Sequence, residues 1–187
     1  MATLTRASIL TAAKAVVEEL GMEKARVSDV AKRLGTTHAA LYKHFKNKDD
    51  LFEELTKQWL LTTEAPILEY HTAEPNVIAA HDWLFLLAKT KQANFKRDPK
   101  MFMLYTTNVA KSAPLSTWLF NRLWAKAEEV LGVDSPNHQV GHALITAFDS
   151  FHNPALSFAW ANQDLPTEFE QVWQLVSPAL NELTKKN

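Results

Sequence analysis

Apolar residues recur at three- to four-residue spacing along most of the chain, which is the period of an amphipathic helix, and no segment alternates as a half-buried strand does. The four glycines and eight prolines fall mostly between these segments. The pattern therefore predicts an all-α fold. Its first helix should run from about Leu4 to Leu20, with Thr3 or Thr5 as N-terminal cap and Gly21 as C-terminal stop.

A second, short helix is predicted over residues 28–34, and Gly35 should end it. The third helix begins after this turn, at Thr36 or Thr37. The small Ala31 lies where the two helices must cross closely. Two short helices joined by a tight turn form a helix-turn-helix, the motif that places its second helix in the major groove of DNA.

The third helix turns Leu41 and Phe45 inward, since successive residues are rotated by about 100° around a helix. It should stop near Lys46–Asn47. Asp49–Asp50 then open a fourth, longer helix, because acidic side chains stabilise the first turn.

Prolines divide the remainder of the chain into five further helices of unequal length. Pro154 and Pro178 either kink or break a helix. The final segments, about 137–162 and 167–185, have the pattern of long amphipathic helices. Paired with their two-fold mates, they would form a four-helix interface, so we predict a homodimer through these two helices. A monomer would have to bury both apolar faces internally.

Basic residues concentrate at the N-terminus. Residues 1–48 hold nine Lys/Arg against four Asp/Glu, a net charge of +5, whereas residues 49–187 hold eleven against seventeen, a net charge of -6. A basic head on an acidic body indicates that the head meets a polyanion. The predicted domains are accordingly a helix-turn-helix DNA-binding domain at 1–48 and a helical ligand-binding and dimerisation domain at 49–187.

The composition narrows the class of protein. The 187 residues include no cysteine, which leaves out disulfides and thiol chemistry and fits a reducing compartment. No apolar run approaches the roughly 20 residues that span a bilayer, and the first residues lack the apolar core of a signal peptide. We therefore expect a soluble, cytoplasmic protein with no membrane partner. Since there is no serine-histidine-acid order, phosphate-binding glycine loop or metalloprotease helix, we predict neither an enzyme nor a cofactor.

The outer face of the third helix carries the candidate base contacts. Thr37 and His38 lie in the N-terminal turn, which enters a major groove first, and Lys43 follows on the outer face. These three side chains offer hydrogen bonds to bases or phosphates, while the small Ala39 and Ala40 permit a close approach to base edges. The residues placed to hold phosphates are Lys46, Lys48, Arg26 and Ser28.

The sequence LYKHFKNK at residues 41–48 resembles the DNA-binding domain of the tetracycline-repressor (TetR) family of transcriptional regulators. Residues that add to the resemblance are Thr5-Arg6, Ile9-Leu10, Ala12-Ala13, Gly21, Val30-Ala31, Leu34-Gly35, Ala40 and Leu51. It covers about the first 55 residues. It implies a protomer of nine or ten helices, a two-fold dimer built on the last two long helices, and an effector whose binding changes the spacing of the two heads. A palindromic operator follows from the two-fold symmetry.

The resemblance also implies roles for individual residues. The positions that read bases are Thr37, His38, Ala40 and Lys43, and those that meet the sugar-phosphate backbone are Tyr42, His44 and Lys48. One position departs from the family. Val27 stands where the family usually has a threonine that caps the second helix and contacts phosphate, so Ser28 or Arg26 must take that place.

The body contains more aromatic side chains than packing alone requires, and polar residues are interleaved with them. The candidate effector pocket consists of Trp83, Phe102, Tyr105, Trp124, Phe148, Asp149 and His152. The alternative is that the aromatic residues are core, and that His152 and Asn153 satisfy one another or a helix end at Pro154.

Four residues of the body share a possible metal-ligand spacing. His138 and His142 are four residues apart, and Asp149 and His152 lie two and three turns further along. There is no second ligand pair on another helix and no glutamate beside the first histidine, so no metal site is predicted. Histidines at a dimer seam or on a helix surface explain the same residues.

Together these patterns predict a sequence-specific DNA-binding regulator, a repressor that a small, mostly apolar effector releases from a palindromic operator. A second hypothesis is a DNA-binding regulator that a protein partner switches. A third is a small helical enzyme or metal carrier with a basic N-terminal bundle. An enclosed pocket in the body would favour a small molecule, whereas a filled core with an exposed apolar patch would favour a protein.

Overall fold

The computed structural model describes residues 4–185, which contain helices and turns but no strand, so the all-α prediction is confirmed. The α-helices of this part of the chain are α1 Arg6–Leu20, α2 Val27–Arg33, α3 His38–Leu41, α4 Lys48–Thr63, α5 Ala65–Leu68, α6 Val77–Arg97, α7 Pro99–Lys111, α8 Ala113–Leu131, α9 Gln139–Ala147, α10 Asp149–His152 and α11 Leu165–Thr184. The 3₁₀ segments are Pro136–His138 and Pro154–Asn162. Thr3, one of the two predicted caps of the first helix, lies outside the described residues.

The chain divides into two compact units. Unit 1 consists of residues 1–62 and 100–115, and unit 2 of residues 63–99 and 116–187. The predicted head, residues 1–48, falls within unit 1, which also takes in most of α4 and α7. The predicted boundary between residues 48 and 49 stays a prediction.

Helix α1 ends at Leu20 as predicted and begins at Arg6, two residues after the predicted Leu4, with Thr5 as its cap. The Thr5 hydroxyl accepts a hydrogen bond from the Ser8 backbone N–H at 3.1 Å, and the Ser8 hydroxyl accepts one from the Thr5 N–H at 3.0 Å. This reciprocal pair is a capping box. At the other end, Gly21 has a φ of +81° and donates its N–H to the Val17 carbonyl. A side chain at this φ would be strained, which is why glycine ends the helix.

Unit 1 has its own apolar core, built from the inward faces of α1 to α4 and one residue of α7. Its buried members are Ile9, Leu10, Ala12, Ala13, Val16, Val17, Ala25, Val27, Val30, Ala31, Leu41, Phe45, Leu51, Phe52, Leu55 and Tyr105. Tyr105 of α7 stacks on Trp59 of α4 with ring centroids 4.7 Å apart. Burial raises the pKa of Tyr105 to about 12, and the nearby Glu18 carboxylate acts in the same direction.

Helix α6 forms the centre of unit 2. It is capped by Asn76, whose side chain accepts a hydrogen bond from the Ala79 N–H at 2.9 Å. Trp83, Leu84 and Leu87 are completely buried on its inner face. Such a face provides most of the hydrophobic stabilisation of a helix in a folded unit.

A buried ion pair lies in unit 2 between Glu64, which precedes α5, and Lys91 of α6. The two side chains are 1% and 5% exposed, so both charges are shielded from water. Lys91 donates to Oε1 of Glu64, whereas Oε2 of the same carboxylate has no hydrogen-bond partner among residues 4–185. Two charges in such a place stabilise the fold only as a pair.

Residues 137–162, predicted as a long helix that Pro154 either kinks or breaks, form several short pieces, so the prediction of a long helix here is wrong. Asn137 and His138 have φ values of 53° and 54°, in the left-handed region that interrupts a helix. Phe148 separates α9 from α10 with non-helical dihedrals. Pro154 has no N–H to continue a helix and opens a 3₁₀ segment instead.

The left-handed turn is held by a carboxylate from another helix. Glu128 of α8 accepts hydrogen bonds from the Ser135 hydroxyl, from His138 Nδ1 at 2.8 Å and from the Gly141 N–H at 3.1 Å. Burial alone would raise the pKa of Glu128, but these hydrogen bonds outweigh burial and lower it. Three donors to one anion compensate for the strain of two left-handed residues.

The last predicted helix is confirmed as α11, Leu165–Thr184. Pro178 lies inside this helix, which continues past it to Thr184. Pro154, in contrast, stands where a helix is broken. Phe169 of α11 is fully buried and packs on Phe148 and Phe151 with ring centroids 4.8 and 5.6 Å apart. Within residues 4–185, no helix combines the length and apolar character needed to cross a membrane.

Candidate nucleic-acid interface

The turn between α2 and α3 is fixed by backbone hydrogen bonds. The Thr36 N–H donates to the Ala31 carbonyl at 3.0 Å, and the Gly35 N–H donates to the Lys32 carbonyl at 3.1 Å. These two bonds form a Schellman motif, in which Gly35 takes a φ of +61°. Glycine supplies that conformation without strain, so this residue determines how the chain enters α3.

Helix α3 starts at the predicted place but is shorter than predicted. Thr37 is its N-cap, and the hydroxyl oxygen accepts a hydrogen bond from the Ala40 N–H at 3.3 Å. The α-helix ends at Leu41, whose carbonyl accepts from both His44 and Phe45. A carbonyl shared by two N–H groups tightens the last turn. Residues 42–44 therefore form a turn rather than the further helix that the sequence predicts.

The side chains of this segment separate into a buried and an exposed set. Leu41 and Phe45 are 1% and 2% exposed and belong to the core of unit 1. The predicted DNA-contacting residues that are exposed are Thr37, His38, Tyr42 and Lys43, and those that are partly buried are Ala40 and His44. The rings of His38 and Tyr42 meet edge to face, 6.2 Å apart. The structure thus presents all six on one short segment.

Arg6 of α1 contacts the residues that follow α3, and the sequence did not predict this contact. Its guanidinium donates a hydrogen bond to the His44 carbonyl and lies 4.3 Å from the centre of the Phe45 ring. A cation over an aromatic face adds an electrostatic attraction to the hydrogen bond. Arg6 therefore fixes the end of the turn relative to α1.

The start of α2 is capped in a different way from that predicted. Val27 is 6% exposed and belongs to the core, and Arg26 occupies the N-cap position. The Arg26 backbone N–H donates to the Asp29 carboxylate at 3.0 Å. An arginine side chain has no acceptor atom, so the cap comes from Asp29. Arg26 and Ser28 remain exposed at this helix start.

The start of α4 is fixed by a pair of side chains. The Asp50 N–H donates to the Asn47 side-chain oxygen, and the Lys46 N–H donates to the Asp50 carboxylate, both at 2.8 Å. This arrangement leaves the Lys48 side chain exposed, with its ammonium 5.6 Å from the centre of the Phe52 ring. Among residues 4–185, no carboxylate forms an ion pair with Lys48, so its charge is available to a phosphate.

The predicted effector residues do not all lie in one unit. Phe102 and Tyr105 are buried in unit 1, where both rings lie against Trp59. The five that lie in unit 2 are Trp83, Trp124, Phe148, Asp149 and His152. The assignment of these seven residues to a pocket stays a prediction.

Two of the unit 2 residues have their polar atoms already bound. The indole N–H of Trp83 donates to the Ile67 carbonyl at 3.0 Å. His152 is 6% exposed, and its Nε2 is 3.1 Å from the Ile145 carbonyl. Burial lowers the pKa of His152 to about 4, and the positive charge of Lys91 adds to the effect. The ring is therefore neutral near neutral pH and donates from Nε2.

Asp149 and Trp124 are only partly buried. The Asp149 carboxylate accepts a hydrogen bond from the Asn153 side chain at 3.2 Å, and Asn153 in turn caps the following 3₁₀ segment. The Trp124 ring lies 4.6 Å from the ring of His142. Asn153 thus satisfies the helix end at Pro154, one of the alternatives that the sequence left open.

Of the four residues with metal-ligand spacing, His138 and His142 have separate partners, whereas His152 lies 3.9 Å from Asp149. His138 bonds to Glu128, and His142 packs against Trp124. In the part of the chain that the structure describes, no group of three or more histidine or acidic residues is arranged to hold a metal ion. The spacing on the sequence belongs to a segment that is not one helix.

Comparison with known proteins finds a family model that matches the N-terminal region. The model for bacterial regulatory proteins of the tetR family matches residues 9–55, which include α2, α3 and the start of α4. The chain is also similar to the fatty acid metabolism regulator protein of Bacillus subtilis (strain 168), at 36% identity over 80 residues, covering 39% of this chain and 41% of that protein. The chain thus spans less than half of the length of this curated relative.

Solved structures extend the likeness to the whole fold. A TetR transcription regulator from Haloarcula marismortui ATCC 43049 has a TM-score of 0.55 at 19% identity, covering 95% of this chain and 96% of that one. The transcriptional regulator FadR from Bacillus subtilis, in complex with stearoyl-CoA, has a TM-score of 0.51 at 20% identity, covering 92% and 98%. At these identities the likeness shows the fold. Residues 9–55 are therefore similar to bacterial regulatory proteins of the tetR family, and the chain as a whole shares the fold of the solved regulators.

Proposed function

We propose that this protein is a cytoplasmic, sequence-specific transcriptional regulator that binds a palindromic operator as a homodimer and represses transcription until a small effector releases it. The single observation that carries the proposal is the helix-turn-helix of unit 1, with a Schellman turn at Gly35 and an exposed face on α3, inside the segment that the tetR family model matches. We do not propose an enzymatic activity or a cofactor.

The proposed DNA contacts fall into two groups. The residues proposed to read bases are Thr37, His38, Ala40 and Lys43, and those proposed to hold the sugar-phosphate backbone are Arg26, Ser28, Tyr42, His44 and Lys48. Partly buried Ala40 leaves room for a base edge, and exposed His38 and Lys43 offer donors that reach the groove. Thr37 uses its oxygen for the cap of α3 and keeps its hydroxyl hydrogen for DNA.

The proposed dimer uses the C-terminal region. Leu175 on α11 is 82% exposed and Phe158 in the preceding 3₁₀ segment is 79% exposed. Large apolar side chains at such exposure are typical of surfaces that a partner covers. A two-fold copy of the same surface would bury them in an isologous interface, and two heads would then meet the two halves of a palindrome.

The proposed effector is small and mostly apolar, and it binds the body. We assign to this role the five predicted residues of unit 2, which are Trp83, Trp124, Phe148, Asp149 and His152. An effector can shift the two heads only if it binds one conformation of the dimer better than the other. The Bacillus subtilis FadR structure, solved in complex with stearoyl-CoA, gives a precedent for a ligand with a long apolar part in this fold.

The test is selection from random-sequence duplex DNA at low salt, followed by sequencing, with the parent protein and with a Tyr42→Ala, Lys48→Ala variant. We expect the parent to enrich a palindrome and the double variant to lose it. Lys14→Ala is the matched control, because Lys14 is an exposed lysine of α1 outside the proposed contacts, with its side chain 57% exposed.

The two parts of the proposal fail separately. If the parent enriches no sequence, the helix-turn-helix does not read DNA and the proposed function is wrong. If it enriches a single half-site without a palindrome, the dimer is wrong while DNA reading stands. A purified operator that no apolar small molecule releases, but that a protein partner does, would support the alternative switch.

A further inference from the structure

Unit 1 contains a surface groove of about 560 Å³ that the proposed DNA contacts do not explain. It lies between the end of α1, the first turns of α4 and the outer face of α7. Its volume is within the range of small-molecule sites. Five apolar side chains line it, Leu20, Met22, Phe52, Met103 and Leu104. Leu20 is 44% and Met103 37% exposed, so the groove keeps apolar surface in contact with water.

Lysines line the same groove. Lys24, Lys48, Lys100 and Lys111 all line the groove, and all four are exposed. They come from three different parts of unit 1, so the fold and not the local sequence brings them together. Within residues 4–185, no carboxylate forms an ion pair with Lys24, Lys48 or Lys100. Four cations around an apolar surface are complementary to a molecule that is anionic at one end and apolar at the other.

Lys111 does form an ion pair, and its partner is also in the groove. It donates to the Glu23 carboxylate at 2.7 Å, which ties the loop after α1 to the end of α7. This hydrogen bond lowers the pKa of Glu23, so the carboxylate stays charged. The side chains are 62% and 83% exposed, so the pair contributes little to stability and an incoming anion can compete with Glu23 for Lys111.

We propose that this groove binds a free amphipathic anion, with a phosphate or carboxylate head held by the lysines and an alkyl or aromatic tail against Leu20 and Met103. A DNA backbone would need the lysines but would leave the apolar residues unused. Asp49, the other acidic residue of the groove, lies at the first turn of α4, so the lysines still exceed the acids by two.

Methionine methyl groups report on the groove directly. The chain has four methionines, at positions 1, 22, 101 and 103, and residues 116–187 have none. Met22 and Met103 line the groove, whereas Met101 packs against the core of unit 1. With ¹³C-labelled methionine methyl groups, Met22→Leu and Met103→Leu assign the two signals. Residues 63–99 and 116–187 of unit 2 contain no methionine, so the Met22 and Met103 signals report on this groove of unit 1.

The probe is dodecyl phosphate below its micelle concentration. We expect saturable shifts of the Met22 and Met103 signals, and we expect Lys100→Gln and Lys111→Gln each to weaken binding by about two- to fivefold. Glu23→Gln should strengthen binding by a similar factor, because it frees Lys111. Lys14→Gln is the matched control, since Lys14 is an exposed, ion-paired lysine outside the groove, and it should leave binding unchanged.

Comparing three probes separates the contribution of the ligand's anionic group from that of its apolar tail. Dodecanol has the tail without the charge, and inorganic phosphate has the charge without the tail, so each should bind at least about fivefold more weakly than dodecyl phosphate. Equal binding of dodecanol would overturn the anionic part of the proposal. No shift with dodecyl phosphate would overturn the site. Equal shifts with random-sequence duplex DNA would show a nucleic-acid surface instead and would also overturn it.

Lys48 connects the groove to DNA. It lines the groove and is also a proposed phosphate contact, so an anion in the groove competes with DNA for this lysine. This consequence rests on the proposed function, whereas the methionine spectra with dodecyl phosphate are recorded without DNA. The two can therefore fail independently.

Discussion

The buried ion pair of unit 2 provides the sharpest test of the packing. Replacing Lys91 with methionine removes the cation and leaves the Glu64 carboxylate, 1% exposed, without a counter-charge. One of its oxygens already has no hydrogen-bond partner in the described part of the chain, so the carboxylate would lose the one donor that it has there. We expect the free energy of unfolding to fall by about 3–5 kcal/mol, the usual cost of breaking a buried pair from one side.

Replacing both residues gives the opposite expectation. Glu64→Leu together with Lys91→Met exchanges two buried charges for two apolar side chains of similar size. Since each charge was costly to desolvate, the double variant should lie within about 2 kcal/mol of the parent, even though each single variant is strongly destabilised. The coupling energy of the cycle should therefore be large and favourable to the pair.

Urea unfolding at about pH 7, followed by far-UV circular dichroism and by tryptophan fluorescence, measures the free energy of unfolding. The four proteins are the parent, the two single variants and the double variant. Coincidence of the two probes checks that the transition is cooperative. The control is the same double-mutant cycle at Lys14 and Glu18, an exposed pair 3.8 Å apart in unit 1. Its coupling energy should be less than about 0.5 kcal/mol. A loss below about 1 kcal/mol for Lys91→Met would refute the burial of the pair.

Three further predictions concern other contacts. Gly141→Ala would place a Cβ 2.1 Å from the Trp124 carbonyl oxygen, so the midpoint of thermal unfolding should fall, although alanine favours a helix by about 1 kcal/mol; an unchanged midpoint would contradict the close packing. The pKa of His152 is lowered to about 4, so the unfolded chain takes up its proton first as the pH falls. The contribution of His152 to the free energy of unfolding is present above the pKa that this residue has in the unfolded chain. It is lost, by up to about 3 kcal/mol, as the pH falls towards about 4. In urea titrations, His152→Gln should remove that part of the pH dependence. Arg6→Met removes the hydrogen bond to the His44 carbonyl and the contact with the Phe45 ring, and it should speed amide exchange around residues 42–45, an effect that hydrogen-exchange mass spectrometry detects.

The elements that the sequence predicts well are those whose limits are set by neighbours in the chain. Thr5 caps α1, and Gly21 and Gly35 end helices, because caps and left-handed glycines act within one helical turn. The inward positions of Leu41 and Phe45 follow from helical periodicity in the same way. Once these are fixed, the exposed face of α3 is fixed as well, which is why the proposed DNA-contacting surface can be predicted from the sequence.

The break within residues 137–162 depends on a residue distant in the sequence. Asn137 and His138 are not glycines, and no local signal predicts a positive φ at both. Their conformation is stabilised by hydrogen bonds to Glu128 on α8. Hydrophobic periodicity indicates which residues face a core but carries no information on such a contact, so it predicts one long helix.

Side-chain anchors are the other part that the sequence could not supply. Asp29 caps α2, whereas the sequence pointed to Arg26 and Ser28, and the capping-box spacing of three residues is the signal that indicates Asp29. The contact of Arg6 with the His44 carbonyl joins residues 38 positions apart and has no local pattern. The predicted pocket residues include two, Phe102 and Tyr105, that the fold places in unit 1, since aromatic residues at helical spacing carry no information on which core they join.

Unit 1 is assembled from two pieces of chain, residues 1–62 and 100–115, with residues 63–99 between them in the sequence. During synthesis, the head of the protein cannot complete its core until Tyr105 has left the ribosome, so its final consolidation must wait for a segment made much later. The same connectivity limits protein engineering. An N-terminal fragment of unit 1 transplanted onto another scaffold would lack Tyr105, which stacks on Trp59. A working graft therefore has to include α7.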